Sequence, residues 1–338
     1  LDLSSYLKSQ TATERQLVWK QSKPLIAENW VMGVGPGNWK LQFPGHGVEG
    51  NYRMQDQNVF FTRAHNDYLE VLAELGVVGL LLYLLLFGFC LHQLYQCRLS
   101  EPWKSRMLLV GLGGYMVMSF IDFPKERIEF IILLSIYLGL SDICSRSKGL
   151  QTSRPVAKMI TTLMMIAMLG NLYTGFYRYQ GEINTKKMLK ARAADNWQEV
   201  IRVSSKAKNK WHHLDPSSVP VDFYTGVAYY NLGEKAKAMA VFKNAQEIAP
   251  YNFHILNNLA TLEIEQQNYE VAIPLLKEAL RINSRFEDAL YNLAYCYTEE
   301  GKFQEALNQV EAIPTDSEKK ALYKAEIQKR MKPTGDDH

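Results

Sequence analysis

"FYTGVAYYNLGEKAKAMAVFKNAQEIAP", residues 223–250, returns twice more in altered form along the chain. "ILNNLATLEIEQQNYEVAIPLLKEALRINS" (255–284) and "ALYNLAYCYTEEGKFQEALNQVEAIP" (289–314) align with it at a period of 34 residues, which places Gly226, Ala260 and Ala294 in register. Ala238, Ala272 and Ala306 share a second register, and Ala245 and Ala279 a third. A period of this length reads as paired antiparallel helices, and the small residues recur where the two helices of a pair pack closely.

Together with Tyr229, Gly233, Phe242 and Pro250, this pattern resembles the tetratricopeptide family, whose repeats stack into an α-solenoid. The resemblance predicts repeats over residues 181–314. "NWQEVIRVSSKAKN" (196–209) reads as a degenerate first repeat, set apart by an insertion around "HHLDPSSVP" (212–220). "SEKKALYKAEIQKRM" (317–331) is the polar capping helix that the end of a solenoid requires, so residues 315–338 are expected to form a cap and tail. Solenoid grooves usually take peptides or helices, which points to a protein partner on the repeats.

Upstream the composition changes. Residues 65–179 hold four apolar stretches, at 76–91, 107–121, 128–140 and 159–177. Only the last reaches spanning length unaided. "LEVLAEL" extends the first, and Tyr95, Trp103 and Tyr137 sit where interface anchors would. Four such runs are hard to bury in a soluble domain of this size, so the expectation is four transmembrane helices. The fold class is therefore all-α, a helical transmembrane region followed by an α-solenoid. The basic loops with Arg98, Lys104 and Arg106, and with Arg146, Lys148, Arg154 and Lys158, belong in the cytoplasm by the positive-inside rule. The region of His65 and everything after residue 180 then face the other side, the periplasm in a bacterium. The formal net charge of +3 implies no polyanion-binding character and no nucleic-acid partner. The four cysteines, Cys90, Cys97, Cys144 and Cys296, show no metal-ligand spacing and read as bland thiols without a disulfide framework.

Residues 1–64 are polar, aromatic and rich in glycine, and the Gly and Pro density predicts irregular turns after a short helix around Thr13–Ala27. "GVGPG" (33–37) follows no β-branched strand and precedes Trp39 rather than a helix, so tight turns explain it better than a dinucleotide loop. Trp30, Trp39, Phe43, Tyr52, Phe60 and Phe61 either stack on sugar or polyprenyl faces or form a loop core.

Chemistry concentrates around "RAHNDYLEVLAELGVVG" (63–79). Asp67 and Glu70 have capping-box spacing, which puts His65 just ahead of a helix N-terminus. The helix dipole there disfavours an imidazolium and leaves a neutral ring able to accept a proton. The competing reading is an interfacial histidine that only caps or hydrogen-bonds. Arg63 is two residues away, and "ERQLVWKQS" (14–22) sets Arg15 and Trp19 at i and i+4 on one helix face. Guanidinium groups beside a helix N-terminus match phosphate oxygens. Asp122, in "SFIDFPKERIEF" (119–130), could orient His65, pair with an arginine or simply end a helix.

Taken in order, "ERQLVW", "GVGPGNW", "RAHNDYLEVLAELGVVGLLLYL" and "DFPKERIEF" resemble the landmarks of the O-antigen ligase and polymerase superfamily over residues 13 to 140. The stretch around His65 and Asn66 is the most specific of them. The resemblance implies an inner-membrane, multi-pass glycosyltransferase that takes glycan from a polyprenyl-diphosphate carrier. It implies that His65 is catalytic and that Arg15 contributes to diphosphate recognition, and Asp122 matches a functional aspartate by position; beside these, Arg63 is expected to hold the diphosphate with Arg15, and Asn66 to support His65. Residues 1–64 would be its periplasmic loop, residues 65–179 its last four spans, and the repeats would lie in the periplasm. The acceptor would be the lipid A core, another glycan or a protein hydroxyl. Membrane lipids would surround the spans, and no cofactor is implied. The sequence holds no carboxylate pair at metal-binding spacing, so metal-independent transfer is expected. Family members carry further spans upstream with another diphosphate-binding arginine, so the resemblance makes this chain one part of a larger protein. A membrane-anchored scaffold without catalysis is the rival from another class.

Overall fold

The computed structural model describes residues 10–57, 59–97, 102–145 and 154–331. Among these the secondary structure is helical, apart from isolated bridges at Asn209–His212 and Leu214–Pro220. The chain divides into two compact units. One comprises the residues up to Lys40 with Phe61–Tyr173, and the other Leu41–Phe60 with the chain from Thr174 onward.

In the first unit, α1 (Gln10–Glu28) precedes α2 (Asp67–Cys97), α3 (Pro102–Ile121), α4 (Ile128–Ser145) and the first part of α5 (Arg154–Ala193). Phe87, Cys90, Leu94, Leu112 and Tyr115 make a small buried core where α2 and α3 meet, with Phe130, Leu134 and Leu138 of α4 against it. Around that core the apolar side chains face outward. Leu81, Leu82, Leu85 and Phe89 on α2 are exposed, as are Val110 and Val117 on α3 and Ile132 and Ile136 on α4. Leu163, Met164, Met165 and Ile166 are exposed at consecutive positions of α5, so that stretch of the helix is apolar all round.

Among the described residues one helix, α2, is long and apolar enough to cross a membrane, with 31 residues. The apolar stretch Ile128–Ser141 is shorter than that. The sequence pointed instead to 159–177 as the run that spans unaided. Tyr95 and Trp103 are exposed as interface anchors would be. Tyr137 is not placed that way, because its hydroxyl packs where a Cβ on Gly111 would lie. Arg98, Arg146 and Lys148, and the side chains of Cys144 and Arg154, lie outside the described residues. Cys97, at the end of α2, is disulfide-bonded, which corrects the expectation of bland thiols throughout. Cys90 and Cys296 are free and buried.

Helix α2 is broken near its start. Gly76 has φ 65° and ψ −170°, a region open in practice only to glycine. The break leaves the carbonyls of the preceding turn without helical donors, and the glycine-rich loop supplies them. Val34 N–H donates to Ala73 O at 3.0 Å and Gly35 N–H to Glu74 O at 2.9 Å, while on the other side of the break Val77 N–H finds its acceptor in Trp30 O at 2.8 Å. A Cβ on Gly33 would lie 2.2 Å from the Glu74 carbonyl carbon, and one on Gly76 2.1 Å from Val31 O. Gly33 thus permits close backbone packing, and Gly33, Gly35 and Gly37 all take positive φ, the tight turns that their sequence context suggested.

In the second unit the helical pairs are α7 (Val221–Asn231) with α8 (Lys235–Ile248), α9 (Phe253–Glu265) with α10 (Tyr269–Ile282), and α11 (Glu287–Glu299) with α12 (Phe303–Glu311). Helix α13 (Glu318–Met331) packs Ile327 onto the last pair. The degenerate first repeat is α6 (Trp197–Ala207) joined to the end of α5 through Met188, Val200 and Val203. Ala238, Ala245, Ala260, Ala272, Ala279, Ala294 and Ala306 are all fully buried, as the register demanded. At Gly226 the missing Cβ makes room for the Phe242 ring, which would lie 2.6 Å from it.

Candidate active site

His65 lies between two fixed points. Ahead of it, both sides of residue 64 are held. Ala64 O accepts from Trp19 Nε1 at 2.7 Å, and Ala64 N–H donates to Glu70 Oε2 at 2.9 Å. Behind it, Asn66 Oδ1 accepts from Leu69 N–H at 3.0 Å and caps α2. Asn66 is therefore the N-cap, and the Asp67–Glu70 capping box expected from the spacing does not form. Asp67 instead accepts from the Lys125 backbone at 3.1 Å, and Glu70 pairs with the Lys125 ammonium at 2.8 Å. Pinned this way, His65 adopts φ 53°, a left-handed backbone that a non-glycine residue occupies at a cost of about 1–2 kcal/mol.

The imidazole points at the turn between α3 and α4. Nδ1 lies 3.6 Å from Asp122 Oδ1, an electrostatic contact too long for a hydrogen bond. The ring meets Phe123 edge to face at 5.0 Å. Arg15 donates to Ile121 O at 2.7 Å, one residue before Asp122, and Trp19 meets Phe120 edge to face at 5.8 Å. The i, i+4 pair on α1 therefore spans the site as its spacing implied. Burial lowers the pKa of His65 and the Arg15 charge lowers it further, while Asp122 pulls the other way without prevailing. The ring is held neutral at pH 7 and can accept a proton.

Four of the five residues singled out in the sequence thus converge: His65, Asp122, Arg15 and, as the cap, Asn66. Arg63 turns aside into an ion pair with Glu126. The structure adds residues the sequence reading passed over. Arg127 lies over the Phe123 ring at 4.8 Å and pairs with Asp122 Oδ2 at 3.0 Å. Lys125 is buried against its charge, yet Glu70 and the neighbouring acids outweigh that burial and raise its pKa. These groups sat in "DFPKERIE", where mixed charge signs concealed that the basic residues pair with acids of α2 and of the turn itself. Of the loop aromatics, Trp39 and Phe43 are fully buried, and Phe60 packs on Phe253 of the repeats. Trp30 and Tyr52 remain exposed.

His65, Asp122 and Arg127 thus meet at the turn between α3 and α4, with Arg15 of α1 bonded to the carbonyl just before it; a neutral imidazole can accept a proton and guanidinium groups can stabilise an anion. Comparison with known families names the segment: residues 2–84 match the O-antigen ligase family. Residues 226–252 and 263–327 match tetratricopeptide repeats. The chain thus carries a segment that matches the O-antigen ligase family, followed by segments that match tetratricopeptide repeats. Superkiller protein 3 of Schizosaccharomyces pombe is 30% identical over 125 residues, 37% of this chain, and the match spans 8% of that protein's length. The solved structure of MamA AMB-1 is 18% identical over 48% of this chain and 84% of its own, with a TM-score of 0.37. That of YrrB, described as a TPR protein with an unusual peptide-binding site, is 19% identical over 43% of this chain and 70% of its own, with a TM-score of 0.35.

Proposed function

We propose that the first unit is the acceptor-activating half of a membrane glycosyltransferase that moves a glycan from a polyprenyl-diphosphate carrier onto a hydroxyl. The observation that carries this reading is the His65 ring, kept neutral by burial and Arg15 while set 3.6 Å from Asp122 on a strained backbone. In this scheme Nε2 of His65, the ring nitrogen away from Asp122, takes the proton from the acceptor hydroxyl as its oxygen attacks the anomeric carbon. The carbon–oxygen bond to the carrier breaks, and the diphosphate leaves with the electron pair. Asp122 stabilises the imidazolium that forms. Arg15 stabilises charge on the leaving group. Arg127 and Arg63 contribute by exchanging Asp122 and Glu126 for phosphate oxygens.

The exposed apolar surfaces of α2 to α5 support a lipid-embedded unit with four spans, and His65 then lies at the periplasmic interface. One observation speaks against this orientation. The Cys97 disulfide lies at the opposite end of α2, and disulfides persist in oxidising compartments. Cysteine-accessibility labelling near Gly301 decides it, because labelling from the cytoplasm overturns both the topology and the scheme. The reaction itself is tested by His65→Ala in the full-length protein. Transfer is expected to fall at least a hundredfold while donor binding persists. Unchanged glycan transfer in that variant, with partner capture on the repeats intact, favours the scaffold reading instead.

A further inference from the structure

Residues 41–60 lie between the glycine loop and His65, yet they fold with the repeats. Arg281 Nη1 donates to Gly45 O at 2.7 Å. The buried Asn283 amide donates to Met54 O and Gln55 O, each at 3.3 Å. Arg285 pairs with Asp56 at 3.0 Å. The Phe60 ring stacks on Phe253 with centroids 5.0 Å apart, and Leu41 packs into the cluster around Phe242 and Ile255. Gly45 faces the Tyr251 ring so closely that a Cβ there would lie 2.7 Å from it. Met54 is completely buried.

These contacts form a recognition set. Three hydrogen bonds read main-chain carbonyls and so fix the shape of the segment. Asp56, Phe60 and the absent side chain of Gly45 supply sequence specificity. The receiving residues cluster at the junctions between successive repeats, at 251–253 and 281–285, with Phe242 of α8 and Ile255 of α9 receiving Leu41. We propose that this edge of the repeats is a docking surface for residues 41–60 of the same chain, so that the repeats hold the loop leading to His65. Covalent tethering makes the argument quantitative. A short tether gives an effective concentration of about millimolar, so an outside peptide with equal contacts at micromolar concentration occupies the edge roughly one time in a thousand. The edge is therefore committed in cis, and an outside partner must use another face of the repeats. This inference stands whether or not the first unit transfers glycans.

Amide hydrogen exchange on the full chain in detergent or lipid nanodiscs tests the docking. In the wild type, amides of residues 41–60 are expected to be protected. Gly45→Val should accelerate their exchange at least tenfold and leave residues 253–311 unaffected. Arg285→Glu should do the same, and pairing Asp56→Arg with Arg285→Asp should restore protection. Exchange of 41–60 at the rate of a free chain in the wild type overturns the proposal, and so does unchanged exchange in Gly45→Val. If Arg285→Glu loosens the repeats themselves, Gly45→Val decides alone, because it alters only the docked segment.

Discussion

Replacing Glu70 by glutamine should weaken the peptide that sets His65, and the size of the effect follows from its two contacts. The Glu70 carboxylate is buried. One oxygen accepts from Ala64 N–H at 2.9 Å, and the other pairs with Lys125 at 2.8 Å. Glutamine keeps one acceptor but turns its amide donors toward the ammonium, leaving Lys125 with Glu126 at 3.7 Å. Removing one partner of a buried ion pair costs about 3–5 kcal/mol. Lys125 keeps 21% side-chain exposure, which brings the expected local loss to about 2–4 kcal/mol. Lys125→Met should cost a similar amount by stranding the carboxylate. The double variant strands neither, so the cycle should show a coupling of about 1.5–3 kcal/mol. Local opening is the right observable, since a chain of two units does not unfold in one step. In Glu70→Gln the amides of residues 61–70 should exchange roughly thirtyfold faster or more, at about 1.4 kcal/mol per decade. Additive single effects, or unchanged exchange at Ala64, would refute the reasoning.

The remaining predictions concern protons and backbone. His65 has a lowered pKa, so between that value and 6.5 the unfolded chain binds a proton that the folded chain does not. The stability it contributes is complete above pH 6.5 and is lost as pH falls. Ring NMR shifts should show the pKa rising in Arg15→Met and falling in Asp122→Asn, and shifts of the same sign would contradict the assigned causes. Gly76→Ala combines a forbidden backbone with a Cβ at 2.1 Å from Val31 O, and should cost more than about 3 kcal/mol, visible as lost exchange protection at Val34 and Gly35. Gln267 has φ 62° at the turn position that Gly233 and Gly301 fill in the neighbouring repeats, so Gln267→Gly should stabilise the solenoid by about 0.5–1 kcal/mol in thermal unfolding.

The repeats were legible because each constraint is local and recurs. A helix pair too close for large side chains demands an alanine or glycine, and the demand returns every 34 residues at Gly226, Ala260 and Ala294. Gln267 escaped notice for the same reason: the period marks a turn there without showing that its backbone is left-handed. The site was legible only in part. His65, Asp122 and Arg15 stood out as residue types near apolar ends, but the partners of Arg63 and Lys125 lie where the chain returns to itself after a long excursion, and Arg127 is spent on Asp122 within its own turn. Lys125 meets Glu70 across 55 positions, and no periodicity links them. The capping box misled because Asn66, one position earlier, is an equally good cap, and the helix begins where the better-placed oxygen meets the Leu69 amide. The split of residues 1–64 between two units was illegible, since carbonyls taken by Arg281 and Asn283 leave no mark on the residues that own them.

A left-handed histidine does not hold itself in place. The strain at His65 is about 1–2 kcal/mol, and the Trp19 bond, the Glu70 bond and the Asn66 cap each return about 1 kcal/mol. Together they exceed the strain by only about 1–2 kcal/mol, so losing one neighbour brings the conformation close to balance and losing two releases it. Each neighbour is itself anchored: Trp19 on α1, Glu70 by Lys125, and Asn66 at the start of the helix whose break at Gly76 is capped by the glycine loop. Substitutions in this shell should therefore move the ring before they unfold the unit. Such variants should lose transfer at the temperature where their helices are still intact, whereas core variants such as Leu112→Ala should lose both together.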